Sequence, residues 1–77
     1  MDSKKIKDIV AQVVIGFNID NLKNDQFFLD AGIDSLDHMN ILLAIEEESN
    51  IKIPDEDVEK CSSIDGIESY INNEESV

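Results

Sequence analysis

Asp34-Ser35-Leu36-Asp37-His38-Met39-Asn40-Ile41-Leu42-Leu43-Ala44-Ile45-Glu46-Glu47-Glu48-Ser49 reads as one helix with two apolar faces. Asp34 suits the N-cap, and Asp37 stands three residues on, as in a capping box. Apolar periodicity stops at Ser49 or Asn50, where the helix should end. Leu42 and Ile45, with Ile41 nearby, supply a stripe that can face a bundle. Leu36, Met39 and Leu43 fall at i, i+3 and i+7 on a second stripe, rotated from the first. Small monomers seldom leave such a strip exposed without use. Acids flank it, Asp34 and Asp37 at one end and Glu46, Glu47 and Glu48 at the other. An apolar strip with a charged rim suits a transient docking surface.

Outward from this helix the pattern stays helical. Ile6, Ile9, Val10, Val13 and Val14 make one stripe of a first helix, which Gly16 should end in a left-handed cap. Residues 17–33 read as a long loop rich in Asn and Asp. Phe17, Ile19, Leu22, Phe27 and Phe28 are expected to pin it over the helices, since a long loop in a small domain needs a purpose. Pro54, Asp55 and Glu56 open a short third helix. Ser62 with Asp65 reads as the cap of a last helix whose core face is Ile64, Ile67 and Ile71, with Tyr70 beside it. Gly66 should weaken that helix by about 1 kcal/mol relative to alanine. Residues 72–77 are polar and expected to fray. No strand alternation or internal repeat interrupts this all-α reading.

Length and charge narrow the function. The chain has 77 residues, read as a single domain over 1–77. A chain this short buries only about 60% of its unfolded surface, which allows one thin core and no deep cleft. A hydrophobic share of 42% is enough for that core. The net charge of −12 argues against nucleic acid or an anionic membrane as partner and for a protein with a basic patch. Residues 25–77 hold fifteen acids and two lysines, so that patch would meet the later two-thirds. One cysteine, Cys61, and one histidine, His38, permit neither an internal disulfide nor a Cys/His zinc site. No apolar run is long enough for a signal peptide or a membrane span, so a cytoplasmic protein is expected.

Ser35 lies between two aspartates at the opening turn of the second helix. Serine is common at helix starts for capping alone. The same geometry also suits a phosphoester, because a phosphate there faces unpaired backbone N–H groups and the positive end of the helix dipole.

The run Asp30-Ala31-Gly32-Ile33-Asp34-Ser35-Leu36-Asp37 resembles the modification motif of acyl carrier proteins. The resemblance continues through Ala44-Ile45-Glu46-Glu47-Glu48, Ile51-Lys52-Ile53-Pro54-Asp55-Glu56-Asp57 and the stretch from Ser62 to Ile71. It implies a four-helix bundle with a long loop after the first helix and a short third helix. It implies a 4'-phosphopantetheine arm, taken from coenzyme A by a phosphopantetheinyl transferase and attached to Ser35. The terminal thiol would hold an acyl group as a thioester, and the chain, itself no enzyme, would deliver it to enzymes with basic docking patches. Docking would use Asp34, Leu36, Asp37, Met39, Leu43, Glu46 and Glu47, and Ile53, Val58, Cys61 and Ile67 would line space for the acyl chain. A monomer serving fatty acid synthesis or a specialised lipid or polyketide pathway is expected.

The chain departs from the family pattern at Asn40, where an acid is usual, and at His38, where a small or β-branched residue is more common. Ser49 stands where a large apolar residue is usual, Ala31 where leucine is and Cys61 where an aliphatic is; Ser49 and Ala31 remove core volume that the loop phenylalanines are expected to recover. Asn40 and His38 put recognition by a standard fatty-acid enzyme set in question, so a specialised pathway stands beside general fatty acid synthesis. Two other classes stand beside this reading. A carrier of amino acids or peptides would use the same arm, whereas an acidic helical interaction module would leave Ser35 unmodified. A catalytic pair of Ser35 and His38 on one exposed turn would lack an enclosed oxyanion site. His38 is expected to be a solvated side chain that modulates docking with pH, and Cys61 a small core residue. No calcium loop of the Asp-x-Asp-x-Asp-Gly type is present, and the sequence assigns no metal site.

Overall fold

A computed structural model describes residues 1–75. Helix α1 spans Ser3–Val13, α2 spans Ser35–Ser49 and α3 spans Ile64–Glu75. A 3₁₀ helix, Asp55–Cys61, is the short third helix of the expected four-helix bundle, and α3 is the fourth. Shorter 3₁₀ turns, Ile19–Asn21 and Leu29–Ala31, break up the long connection between α1 and α2. The fold is all-helical, with no strand among the described residues.

The start of each α-helix is fixed by a short polar side chain. Asp2 caps α1 by accepting the Lys5 N–H at 2.9 Å, and Asp34 caps α2 by accepting that of Asp37 at 2.8 Å. Two boundaries differ from the sequence reading. Helix α1 stops at Val13, and Gly16, at φ 85°, shapes the turn beyond instead of capping the helix. The N-terminal cap of α3 is Ser63, whose Oγ accepts the Gly66 N–H at 3.0 Å, whereas the Ser62 hydroxyl donates to the Glu59 carbonyl at 2.7 Å. Helix α2 ends where expected, at Asn50 in the left-handed region with φ 59°. Ser49, in place of a large apolar residue, donates to the Ile45 carbonyl at 2.7 Å and accepts the Ile51 N–H at 3.2 Å. It fastens the chain leaving α2.

The core is one apolar cluster. Ile6, Ile9 and Val10 of α1 meet Ile41, Leu42 and Ile45 of α2 and Ile64, Ile67 and Ile71 of α3. Helix α1 packs on α2 and on α3, and α3 packs on the 3₁₀ helix. The two shorter dimensions, 23 and 20 Å, are about two helix diameters, so the packed layer fills the interior. From the long loop, Leu22 and Phe28 are buried, as expected of pins, and Phe17 and Ile19 are half-buried. Phe27 is not a pin; it points to solvent. The Phe28 N–H donates to the Ser62 carbonyl at 2.9 Å and the Asp65 N–H to the Asn24 carbonyl at 2.9 Å, tying the loop to the approach to α3.

Gly66 is more than a weak point of α3. A Cβ at this position would overlap the Lys60 carbonyl oxygen, so glycine lets the start of α3 close against the end of the 3₁₀ helix. Helix α3 continues through Glu75. There the amino-terminal ammonium donates to Glu75 Oε1 at 3.1 Å and Asn72 Oδ1 at 3.4 Å. Residues 76 and 77 lie outside the described part.

Candidate functional site

Ser35 is the first residue of α2 and is exposed to solvent. Its turn is held firmly. Asp34 Oδ1 takes the Asp37 N–H, and the Asp34 carbonyl accepts the His38 N–H at 2.9 Å. Just before it, Gly32 at φ 89° ends the Leu29–Ala31 turn, a backbone shape that few other residues adopt cheaply. Ile33 is buried and its N–H donates to the Phe28 carbonyl at 3.0 Å. The chain thus enters α2 from an anchored loop, and the Ser35 hydroxyl sits on a rigid edge at the positive end of a 15-residue helix.

The second stripe of α2 faces outward. Leu36 is 70% exposed, Leu43 56% and Met39 41%, while Ile41, Leu42 and Ile45 of the same helix are buried. Asp34 and Glu47 are exposed beside this strip, and Asp37 is half-buried. Glu46 differs from its neighbours. Its Oε2 accepts the Ile53 N–H at 2.6 Å, so the carboxylate braces the segment after α2.

Of the four residues expected to line acyl space, Ile53 and Val58 share a depression of about 210 Å³ with Met39, Leu42 and Leu43. Cys61 and Ile67 do not line it; both are fully buried within the core. A larger groove of about 380 Å³ is lined by Phe27, Phe28, Leu29 and Asp30 of the loop with His38, Glu59 and Ser62. Nothing in the sequence reading pointed to it, although two large apolar residues flanking Phe28 could have.

The expectation of a solvated His38 is overturned. The residue is 7% exposed, its Nε2 lies 2.9 Å from the Cys61 carbonyl oxygen, and its ring leans on Phe28 with centroids 5.4 Å apart. A carbonyl only accepts, so Nε2 carries the hydrogen. The side chain therefore ties α2 to the end of the 3₁₀ helix, and its ring is turned inward, away from the work a base for Ser35 would need. The signal was present in the sequence, because position 38 falls on the same stripe as Ile41, Leu42 and Ile45. Cys61 is a buried core residue as expected, and burial pushes its thiol up to about 11, which leaves it a protonated, unreactive group at neutral pH.

Tyr70 donates to Asp57 Oδ2 at 2.8 Å, linking α3 to the 3₁₀ helix. That hydrogen bond, with help from Lys60, lowers the Asp57 carboxyl below its ordinary value, and the same bond raises the Tyr70 hydroxyl to about 12. Among the described residues no group of three or more His, Cys, Asp or Glu side chains could hold a metal ion. No helix there is long and apolar enough to cross a membrane.

The family described as "Phosphopantetheine attachment site" matches residues 4–71, which takes in α1, α2, the 3₁₀ helix and most of α3. The chain belongs to this acyl carrier protein family. It is 41% identical over 69 residues to the acyl carrier protein of Clostridium acetobutylicum, covering 88% of each chain. To that of Bdellovibrio bacteriovorus it is 40% identical over 68 residues, 87% of this chain and 86% of the relative. The acyl carrier protein of Buchnera aphidicola subsp. Schizaphis graminum is 41% identical over 71 residues, 91% of this chain and 89% of the relative.

Membership implies a 4'-phosphopantetheine prosthetic group, and a phosphopantetheinyl transferase and acyl-handling enzymes as partners. The residues present fit such a group. An exposed hydroxyl at the first position of a long helix accepts a bulky ester without displacing any core atom, and the helix end favours its charge.

Proposed function

We propose that this acyl carrier protein is modified at Ser35 and carries acyl groups as thioesters to enzymes of fatty acid synthesis or a specialised lipid or polyketide pathway. The single observation that carries the assignment is the solvent-exposed Ser35 hydroxyl on the anchored first turn of α2, inside the matched span. In the loading reaction Ser35 Oγ forms an ester bond to the pantetheine-side phosphorus of coenzyme A. The bond from that phosphorus to the bridging oxygen breaks, 3',5'-adenosine bisphosphate leaves, and the hydroxyl proton passes to a base of the transferase. Once bound, the arm supplies a thiol that holds the acyl group.

The chain contributes position and recognition, not catalysis. Asp34 fixes the turn that presents Ser35. Leu36, Met39 and Leu43 offer an apolar contact, and Asp34, Asp37 and Glu47 offer charge to Lys or Arg of each partner. Glu46, engaged at the Ile53 N–H, acts first as a brace beside that contact. Rim charges chiefly speed encounter, which fits a carrier that must leave each enzyme quickly. Ile53 and Val58 offer the α2-side depression to a short part of the cargo, while Cys61 and Ile67 would take part only if the core opened. We place the carrier in the cytoplasm as a monomer.

Intact mass spectrometry after incubation with coenzyme A and a broad-specificity transferase tests this. The parent should gain one pantetheine-phosphate mass and Ser35→Ala none. No gain on the parent, or an equal gain on the variant, defeats the assignment. Loading the arm with fatty, hydroxy and amino acids then separates an acyl from an aminoacyl carrier.

A further inference from the structure

Resting on the carrier reading above, we propose that the groove beside Phe27 and Leu29 is a second apolar seat for the transferase that loads Ser35. The serine would then lie between two contacts instead of at the end of one. Phe27 is 58% exposed and Leu29 60%, whereas Phe28 between them is fully buried. This ledge is rigid. The Phe28 N–H is fastened to the Ser62 carbonyl at 2.9 Å, and the Leu29–Ala31 turn closes with the Ala31 N–H on the Phe28 carbonyl at 3.1 Å. Two large apolar side chains held outward on fixed backbone lose little freedom when a partner covers them.

Position makes contact hard to avoid. His38, which also lines the groove, lies about one helical turn from Ser35, and a turn rises only ~5.4 Å. A standard interface buries about 800 Å² on each partner, a disc of roughly 16 Å radius. An enzyme that seats Ser35 near the middle of such a footprint covers the groove as well as the α2 strip. Charge selects the partner's chemistry. Asp30 and Glu59 stand exposed at the groove's edges, and Lys60 is turned away to Asp57 Oδ1 at 3.3 Å. The matching surface is an apolar knob ringed by Lys or Arg.

The test measures initial rates of arm attachment by intact mass, below saturation, for the full chain and for Phe27→Ser, Leu29→Ser, the double variant and Leu29→Lys. Thermal melts run alongside. Loss of an interface anchor costs about tenfold in kcat/KM, with kcat little changed. The double variant should show at least that loss, reach full loading at long times, and melt close to the parent. Leu29→Lys should fall further than Leu29→Ser, because it meets the expected basic ring. Unchanged rates in the double variant, or a Leu29→Lys as fast as the parent, would overturn the second seat. So would unchanged rates with stability lost only in acyl-loaded variants, which would give the groove to the cargo. Failure of the parent to gain mass strikes the carrier reading instead, so the two failures are distinguishable.

Discussion

Helices α1 and α2 use the same kinds of residue for different ends. In α1 the apolar side chains Ile6, Ile9 and Val10 all go to the core, and the lysines and Asp8 take the other face. In α2 three apolar residues face out and a histidine faces in. Burial in α1 follows from residue type, whereas in α2 it follows from position alone. A helix that only builds a core can sort its residues by polarity. A helix that also met partners, as proposed for α2, would have to keep apolar groups in water, and its core then accepts a polar group where a hydrogen bond awaits it.

The sharpest way to break this contrast is to truncate one residue from each stripe of α2. Ile45→Ala removes a fully buried side chain and should cost about 2–5 kcal/mol, enough to unfold much of a small domain. Leu43→Ser changes an exposed side chain and should stay within about 0.5 kcal/mol. Urea unfolding followed by circular dichroism reads both. Equal losses would mean that the outer strip is structural and not reserved for partners.

His38 supplies the next largest effect. Removing it leaves the Cys61 carbonyl without its partner and a gap against Phe28. His38→Ala should therefore destabilise by about 1–3 kcal/mol. A surface histidine would cost almost nothing. His38→Gln, which can still donate to the carbonyl, should recover part of the loss; a midpoint for His38→Ala equal to the parent's would return the residue to the solvent side.

This residue also shows what kind of information the sequence holds. The bounds of α2 were legible because Asp34 and Asn50 are local signals, each satisfied within a turn. The place of Ser35 at the head of α2 was legible for the same reason, and the motif around it suggests the attachment proposed above. The stripe of α2 pointed His38 inward, but the hydrogen bond that makes its burial tolerable comes from a carbonyl twenty-three residues away, which no local pattern reports. The fit of Gly66 beneath the Lys60 carbonyl is likewise a fact of packing, so the glycine looked like a defect. The engagement of Glu46 with the Ile53 N–H hid inside an acidic run whose members look alike. Ser62 and Ser63 differ by one position, and only the packed backbone decides which hydroxyl meets the orphan N–H of α3.

The smallest expected effect belongs to the other polar tie of the 3₁₀ helix, from Asp57 to Tyr70. It is more solvated than the His38 contact, so Tyr70→Phe should destabilise less than His38→Ala. Its signature lies in pH. The hydrogen bond from Tyr70 lowers the Asp57 carboxyl below its ordinary 3.8, so the folded state keeps the charged form longer than the unfolded chain does. That stabilisation is complete above the unfolded value and is lost as pH falls through the folded one. The Tyr70 hydroxyl moves the other way, from 10.0 to about 12, so its contribution is complete below the unfolded value and is lost as pH rises toward the folded one. The stability difference between parent and Tyr70→Phe should therefore be flat from about pH 5 to about pH 9 and shrink at both ends. Urea midpoints at several pH values measure it. A difference that stays flat into acid would mean that Tyr70 does not hold the Asp57 charge and that Lys60 alone does.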